Sequence, residues 1–235
     1  MSASPRIVDY VEERREEYAR RAFCNLLVEF LDVIIPGHSP ANQMRTAVKD
    51  FVARVTNITV SGTGSRIIYA LRVLDAMIYI LRSPIIGSIH FEHSAMQRLS
   101  PLEEQLRWEV VDNVINRFRR YWDGRFGLKV DSSSLASQRP QILFEYISGL
   151  ASRGFIPEEP YTRMLLVFMH NFENRIDLKN GVSLFRTFTC PTSFMKDTDI
   201  LYEILGVLRN RCRDLFGMDT IDEVIFNVYK GLDEG

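Results

Sequence analysis

The chain has 235 residues, 46% of them hydrophobic and 25% charged, with a formal net charge of −1 and a pI near 6.4. That is the balance of a folded globular protein rather than a disordered one, long enough to bury on the order of 70% of its unfolded surface. Near-zero net charge excludes a global polyelectrolyte attraction, so a nucleic-acid site would have to be a local patch.

Helical periodicity dominates from the first segment. EERREEYARR is a charged start in which Glu16 with Arg20 and Glu17 with Arg21 stand at the favourable i,i+4 spacing. Phe23, Leu26, Leu27, Phe30, Leu31 and Ile34 then recur on one helix face, until Pro36 and Gly37 stop it. In the second helix Met44, Ala47, Val48, Phe51, Val52 and Val55 form a single stripe. The third, from about Arg66 to Arg82, is apolar nearly all round, with a narrow polar line of Arg72, Asp75, Tyr79 and Arg82. It reads as the central helix of the first half. A fourth runs from Leu102 to about Trp122, with Leu106, Val110, Val111, Val114, Ile115 and Phe118 inward.

DGRFGLKVDSSSLASQRP, residues 123–140, has no helical period and is rich in Gly and Ser. The expected organisation is therefore an N-terminal helical half (1–122), a linker or ordered loop (123–140) and a C-terminal helical half (141–235). The second half opens with Ile142, Leu143, Tyr146, Ile147 and Leu150 on one face, ended by Gly154. An apolar helix around Met164 to Phe172 follows, then NRIDLKNG as a loop and a short helix from Val182 to Cys190. A longer helix carries Ile200, Leu201, Ile204, Leu205, Leu208, Cys212 and Leu215, and the last holds Ile221, Val224, Ile225 and Val228. Only 57–60 and 88–91 have strand character, too little for a sheet. The fold class expected is all-α.

Helix starts are marked by Ser4-Pro5, Ser39-Pro40 and Ser100-Pro101, a capping hydroxyl before a proline whose missing N–H costs nothing there. Ser100 with Glu103, and Thr220 with Glu223, fit capping boxes. Ser-Pro is also the pattern of proline-directed phosphorylation, but capping explains these pairs without an enzyme.

The three cysteines, Cys24, Cys190 and Cys212, are odd in number and lack CxxC spacing. They point to a reducing, intracellular compartment rather than a disulfide framework. The N-terminus is charged where a secretory signal needs an apolar run. The most apolar stretch, Ile67 to Leu81, is broken by Arg72 and Asp75 and is too short to span a bilayer. No membrane role is expected.

Of the 29 basic residues, 24 are Arg and 5 are Lys. Guanidinium groups make forked contacts with carboxylates and phosphates and stack on aromatic faces. The densest patch is RFRRYWDGRFGLK, where Arg117, Arg119, Arg120, Arg125 and Lys129 interleave with Phe118, Tyr121, Trp122 and Phe126. Cations that neutralise phosphates beside aromatic faces that stack bases are the chemistry of single-strand binding. The bland alternative is a helix with its aromatic side packed inward and its arginines solvated, and the buried stripe through Phe118 favours it. Arg209, Arg211 and Arg213 would either extend such a surface or complement a helix C-terminus.

Other patterns are weaker. Val60-Ser-Gly-Thr-Gly-Ser65 superficially resembles a phosphate-binding turn, but a third glycine and a GK[ST] ending are missing. A flexible helix start capped by Ser65 is the better reading. His90, Glu92 and His93 crowd one short segment that does not suit a closed metal site. Glu103/Glu104 and Glu158/Glu159 sit at helix starts, where the dipole accounts for them. His170 beside an apolar face reads as a packed histidine. There is no GxSxG and no kinase loop set, so no catalytic residue and no cofactor is expected.

Some segments resemble the cyclin box. ILFEYISGLASRGFIPEEPYTRMLLVFMHNFENRI is similar to the helix pair that ends in an ALxYLxRL-like stretch. LFRTFTCPTSFMKD resembles the central helix ending ASKFxxD, and GMDTIDEVIFNVYKGLD resembles the closing GxSxxELNxLExxFLxxLD segment. FVARVTNITVSGTGSRIIYALRVLDAMIYIL has a similar cadence in the first half. The resemblance covers residues 142–233 and implies two helical repeats and a protein partner. The family's kinase-contacting lysine falls at Ser193 and its glutamate near Val228, so conventional activation of a cyclin-dependent kinase is not implied. The expectation is a non-enzymatic helical protein-binding module, an adaptor or regulatory subunit with a cyclin-like cast. The alternative is a single-stranded RNA- or DNA-binding helical protein, like a viral nucleoprotein, using residues 117–129.

Overall fold

The computed structural model describes residues 5–34, 41–82, 96–125, 140–181, 183–185 and 198–217. Among them are eight α-helices and no strand, so the chain is an all-α, multi-helix protein. In order they are α1 (Pro5–Ile34), α2 (Ala41–Val60), α3 (Ser65–Arg82), α4 (Met96–Arg125), α5 (Pro140–Ser152), α6 (Glu158–Asn171), α7 (Arg175–Gly181) and α8 (Thr198–Phe216). The chain divides into two compact units, 1–113 and 114–235. The division falls inside α4, so the last turns of that helix go with the second unit. Of the expected linker, 126–139 lies outside the described residues.

In the first unit α1, α2 and α3 pack on one another. α1 buries Ala19, Phe23, Leu26, Phe30 and Ile34, a stripe at three-and-four spacing. α2 buries Val48, Phe51, Val52 and Val55, and Phe51 meets Phe30 with ring centroids 5.0 Å apart. α3 is buried at seven positions, from Ile67 to Leu81. Arg72, Tyr79 and Arg82 are exposed along the polar line, with Ile68 added to it. Residues 57–60 continue α2 rather than form a strand. Thr59 and Val60 are buried there, and the Thr59 hydroxyl donates to the carbonyl of buried Val55 one turn back. Burial of a β-branched face overrides its local strand preference.

The α2–α3 turn is tied down by α1. Glu16 accepts hydrogen bonds from the Thr63 and Ser65 hydroxyls, each at 2.6 Å, and faces Arg66 Nε at 3.4 Å. It does not pair with Arg20, whereas Glu17 and Arg21 do pair at 2.5 Å. Burial pushes the Glu16 carboxyl up, but the Ser65 and Thr63 hydroxyls and the Arg66 charge outweigh it and hold the group below its usual value. Gly62 leaves room for the Arg66 side chain laid across it, since a Cβ there would lie 2.1 Å from that side chain and the guanidinium arm would have to move. α4 begins at Met96, so Ser100-Pro101 lies within the helix instead of capping it. Glu103 on this helix takes both Arg82, at 2.8 Å, and Arg107, at 3.0 Å.

The second unit is built around α5, which is buried on nearly every side: Phe144, Tyr146, Ile147, Leu150 and Ala151 are all fully enclosed. Gly154 ends it at φ +70°. The Gly154 N–H bonds to the Ala151 carbonyl and the Phe155 N–H to the Leu150 carbonyl, each at 2.9 Å, a Schellman motif with Phe155 buried beyond it. Phe168 on α6 is a hub of rings, 6.1 Å from Phe144, 6.2 Å from Trp122, 5.3 Å from Phe172 and 6.2 Å from Phe185. The Tyr161 hydroxyl donates to the Leu184 carbonyl in the interior.

The expected loop at NRIDLKNG is a helix, α7. The Asn174 side chain accepts from the N–H groups of Ile176 and Asp177, each at 3.0 Å, and Asp177 accepts from the Glu173 N–H at 3.2 Å. Asn174 is an N-cap, and Asp177 three residues on reaches back to the residue before the cap. α8 buries Ile204, Leu205, Leu208 and Cys212, leaves Leu215 partly exposed, and ends at Gly217, φ +81°. Residues 35–40, 88–93, 186–197 and 218–235 lie outside the described residues. With them lie Ser39-Pro40, the His90–His93 cluster, Cys190, Ser193, the Thr220–Glu223 box and the last expected helix.

Candidate partner-binding groove

The arginine/aromatic segment divides by helix geometry. α4 turns the side chains of Phe118 and Trp122, one turn apart, into the interior, and both are buried. Phe118 lies 5.5 Å from the Phe144 ring and 6.1 Å from Trp122. Tyr121 is half-buried, its ring 4.9 Å from Trp122 and 5.4 Å from Phe144, and its hydroxyl 3.4 Å from the Asp177 carboxylate. These rings pack on one another and do not offer open faces for bases.

The arginines part company as well. Arg119 and Arg120 are exposed. Arg117 is half-buried, and its guanidinium is pushed below the usual value by burial and by the charge of Arg120, with Tyr146 opposing. Arg125 lies in the last turn of α4, and Phe126 and Lys129 lie outside the described residues. On α8, Arg209 and Arg213 are exposed. Arg211 instead covers the Phe172 ring at 5.9 Å and donates to the Phe172 carbonyl at 3.3 Å, a packing role.

What the fold assembles around Arg119 is an open groove of about 310 Å³ between α4 and α6. Its lining is Ile115 and Phe118 from α4 with Pro160, Met164 and Val167 from α6. Arg119, Glu159 and Arg163 form its polar edge. Val167 is 40% exposed in the groove, and Leu166, beside it on α6 but not among the groove's lining residues, is 39% exposed. Arg163 pairs with Glu159 one turn back at 2.6 Å. No carboxylate among the described residues pairs with Arg119, Asp123 one turn along included. Sequence reasoning found Arg119 but missed Glu159, Arg163 and Val167. The signal was present in the MLLVF run, which is wider than one buried stripe needs.

Other candidate features fare differently. His170 is exposed on the outer face of α6, not packed as expected. At Ser61–Ser65, read from the sequence as a flexible helix start capped by Ser65 rather than a phosphate-binding turn, the Thr63 and Ser65 hydroxyls donate to the Glu16 carboxylate. Burial raises the Cys212 thiol to about 11, far from a reactive thiolate at neutral pH. Among the described residues, no three of His, Cys, Asp and Glu stand close enough to share a metal ion. No described helix is long and apolar enough to cross a membrane. No family model, curated protein or solved structure matches the chain.

Proposed function

We propose that the chain is a non-enzymatic, intracellular helical module that binds another protein, as an adaptor or regulatory subunit. The observation that carries this reading is the α4–α6 groove, whose apolar lining leaves Val167 exposed and Ile115 and Pro160 half-buried beside the exposed Arg119 and Arg163. Contiguous exposed aliphatic surface with a polar rim is the usual form of a protein-docking site. A helix face laid into such a groove buries that surface, using anchors at helical spacing. The cyclin-like cadence of residues 142–233 belongs with this reading.

The nucleic-acid alternative keeps Arg119 and Arg120 as phosphate contacts, but among its described aromatic residues Phe118, Tyr121 and Trp122 are engaged in ring packing. The protein reading is therefore preferred. It is tested by selecting a displayed library of helical peptides against the full chain and against Val167→Gln. The expected result is a set of binders lost on Val167→Gln while that variant keeps its helical circular dichroism and melting transition. Binders indifferent to the variant would contradict the reading. So would tight binding of single-stranded RNA that falls steeply with salt.

A further inference from the structure

The charge at the groove's edge specifies more than docking. Arg119 and Arg163 bracket an aliphatic floor from opposite sides, one on α4 and the other on α6. Arg163 already has an internal carboxylate in Glu159. Arg119 has none among the described residues, although it is exposed and lines the groove. A guanidinium next to apolar surface is less hydrated than one in open water, and it favours a forked carboxylate contact. The α6 side of the groove runs from Glu159 to Val167, about 12 Å of helix at 1.5 Å per residue. That length accepts two anchors one helical turn apart.

Resting on the docking reading above, we infer that the groove's occupant is an amphipathic helix of a partner protein. It carries two aliphatic anchors one turn apart and an aspartate or glutamate beside them that meets Arg119. The anchors sit on Ile115, Met164 and Val167, and the carboxylate fixes the register of the helix along α4. A rim charge of this kind governs which partner is accepted and how fast it arrives more than it adds affinity. A strand of nucleic acid would satisfy Arg119 but leave the aliphatic floor uncovered.

The probe is a displayed library of helical peptides with leucines fixed one turn apart and the flanking positions randomised, selected on the full chain. Acidic residues should be enriched at one flanking position. Arg119→Glu should weaken those binders roughly tenfold or more and, used as the target, should select lysine or arginine there instead. Arg119 is exposed, so folding is not at stake in that variant. Binders that need Val167 yet show no charge preference, or that ignore Arg119→Glu, would overturn the acidic-helix inference and leave docking standing. Failure to select any binder dependent on Val167 would overturn both.

Discussion

Glu16 shows how one side chain can hold three helices. It leaves α1 to collect two hydroxyls and a guanidinium from the turn between α2 and α3. Glu16→Gln keeps the shape but loses the charge, and should cost about 1–2 kcal/mol of stability, read as a lower midpoint in urea. The pH dependence has a definite sign. The folded carboxyl titrates below its ordinary value of 4.5, so its contribution is complete above that value. It is lost as pH falls through the lower folded pKa. The variant should therefore lose its disadvantage in acid, and an unchanged gap between the two proteins from pH 7 down to pH 3 would refute the role. None of this was legible in the sequence. The i,i+4 spacing of Glu16 and Arg20 promised a local pair, and a long-range partner at Thr63 and Ser65 leaves no local signature.

At the scale of elements, legibility tracked how completely a helix face is buried. The stripes of α1 and α2 and the narrow polar line of α3 follow directly from three-and-four spacing. α7 escaped because seven residues carry too little periodicity, although Asn174 followed three residues later by Asp177 was a usable capping signal. His170 escaped for the opposite reason. Its apolar neighbours Leu166 and Val167 are themselves exposed, so proximity to them did not mean burial. The close approach of α7 to α6 is likewise invisible in the sequence: a Cβ on Gly181 would fall 2.0 Å from the buried Phe168 ring. Phe168 touches rings on several sides and has nowhere cheap to move. Gly181→Ala should cost about 1–3 kcal/mol by overpacking, measured as a drop in Tm. The double variant Gly181→Ala with Phe168→Leu should recover part of what the glycine change costs. A Gly181→Ala protein as stable as the parent would show that the approach is looser than described.

At the scale of the whole molecule, each unit owns a core, and the arginine-rich segment at 117–125 belongs to the second. Its sequence mixes cations and aromatics in a way that suggests one surface. The helix sorts them by face, with Phe118 and Trp122 inward and Arg119 and Arg120 outward. That sorting moves the proposed site from a stretch of sequence to a groove shared with α6, residues roughly forty positions downstream, which no local pattern could join. The most direct measurement of this account is covalent footprinting of the full chain, free and loaded with a selected helical binder, read residue by residue by mass spectrometry. Protection should fall on Ile115, Pro160 and Val167, while Tyr18 and Trp108 in the first unit keep their labelling. Protection confined to the first unit, or none along α4 and α6, would contradict it.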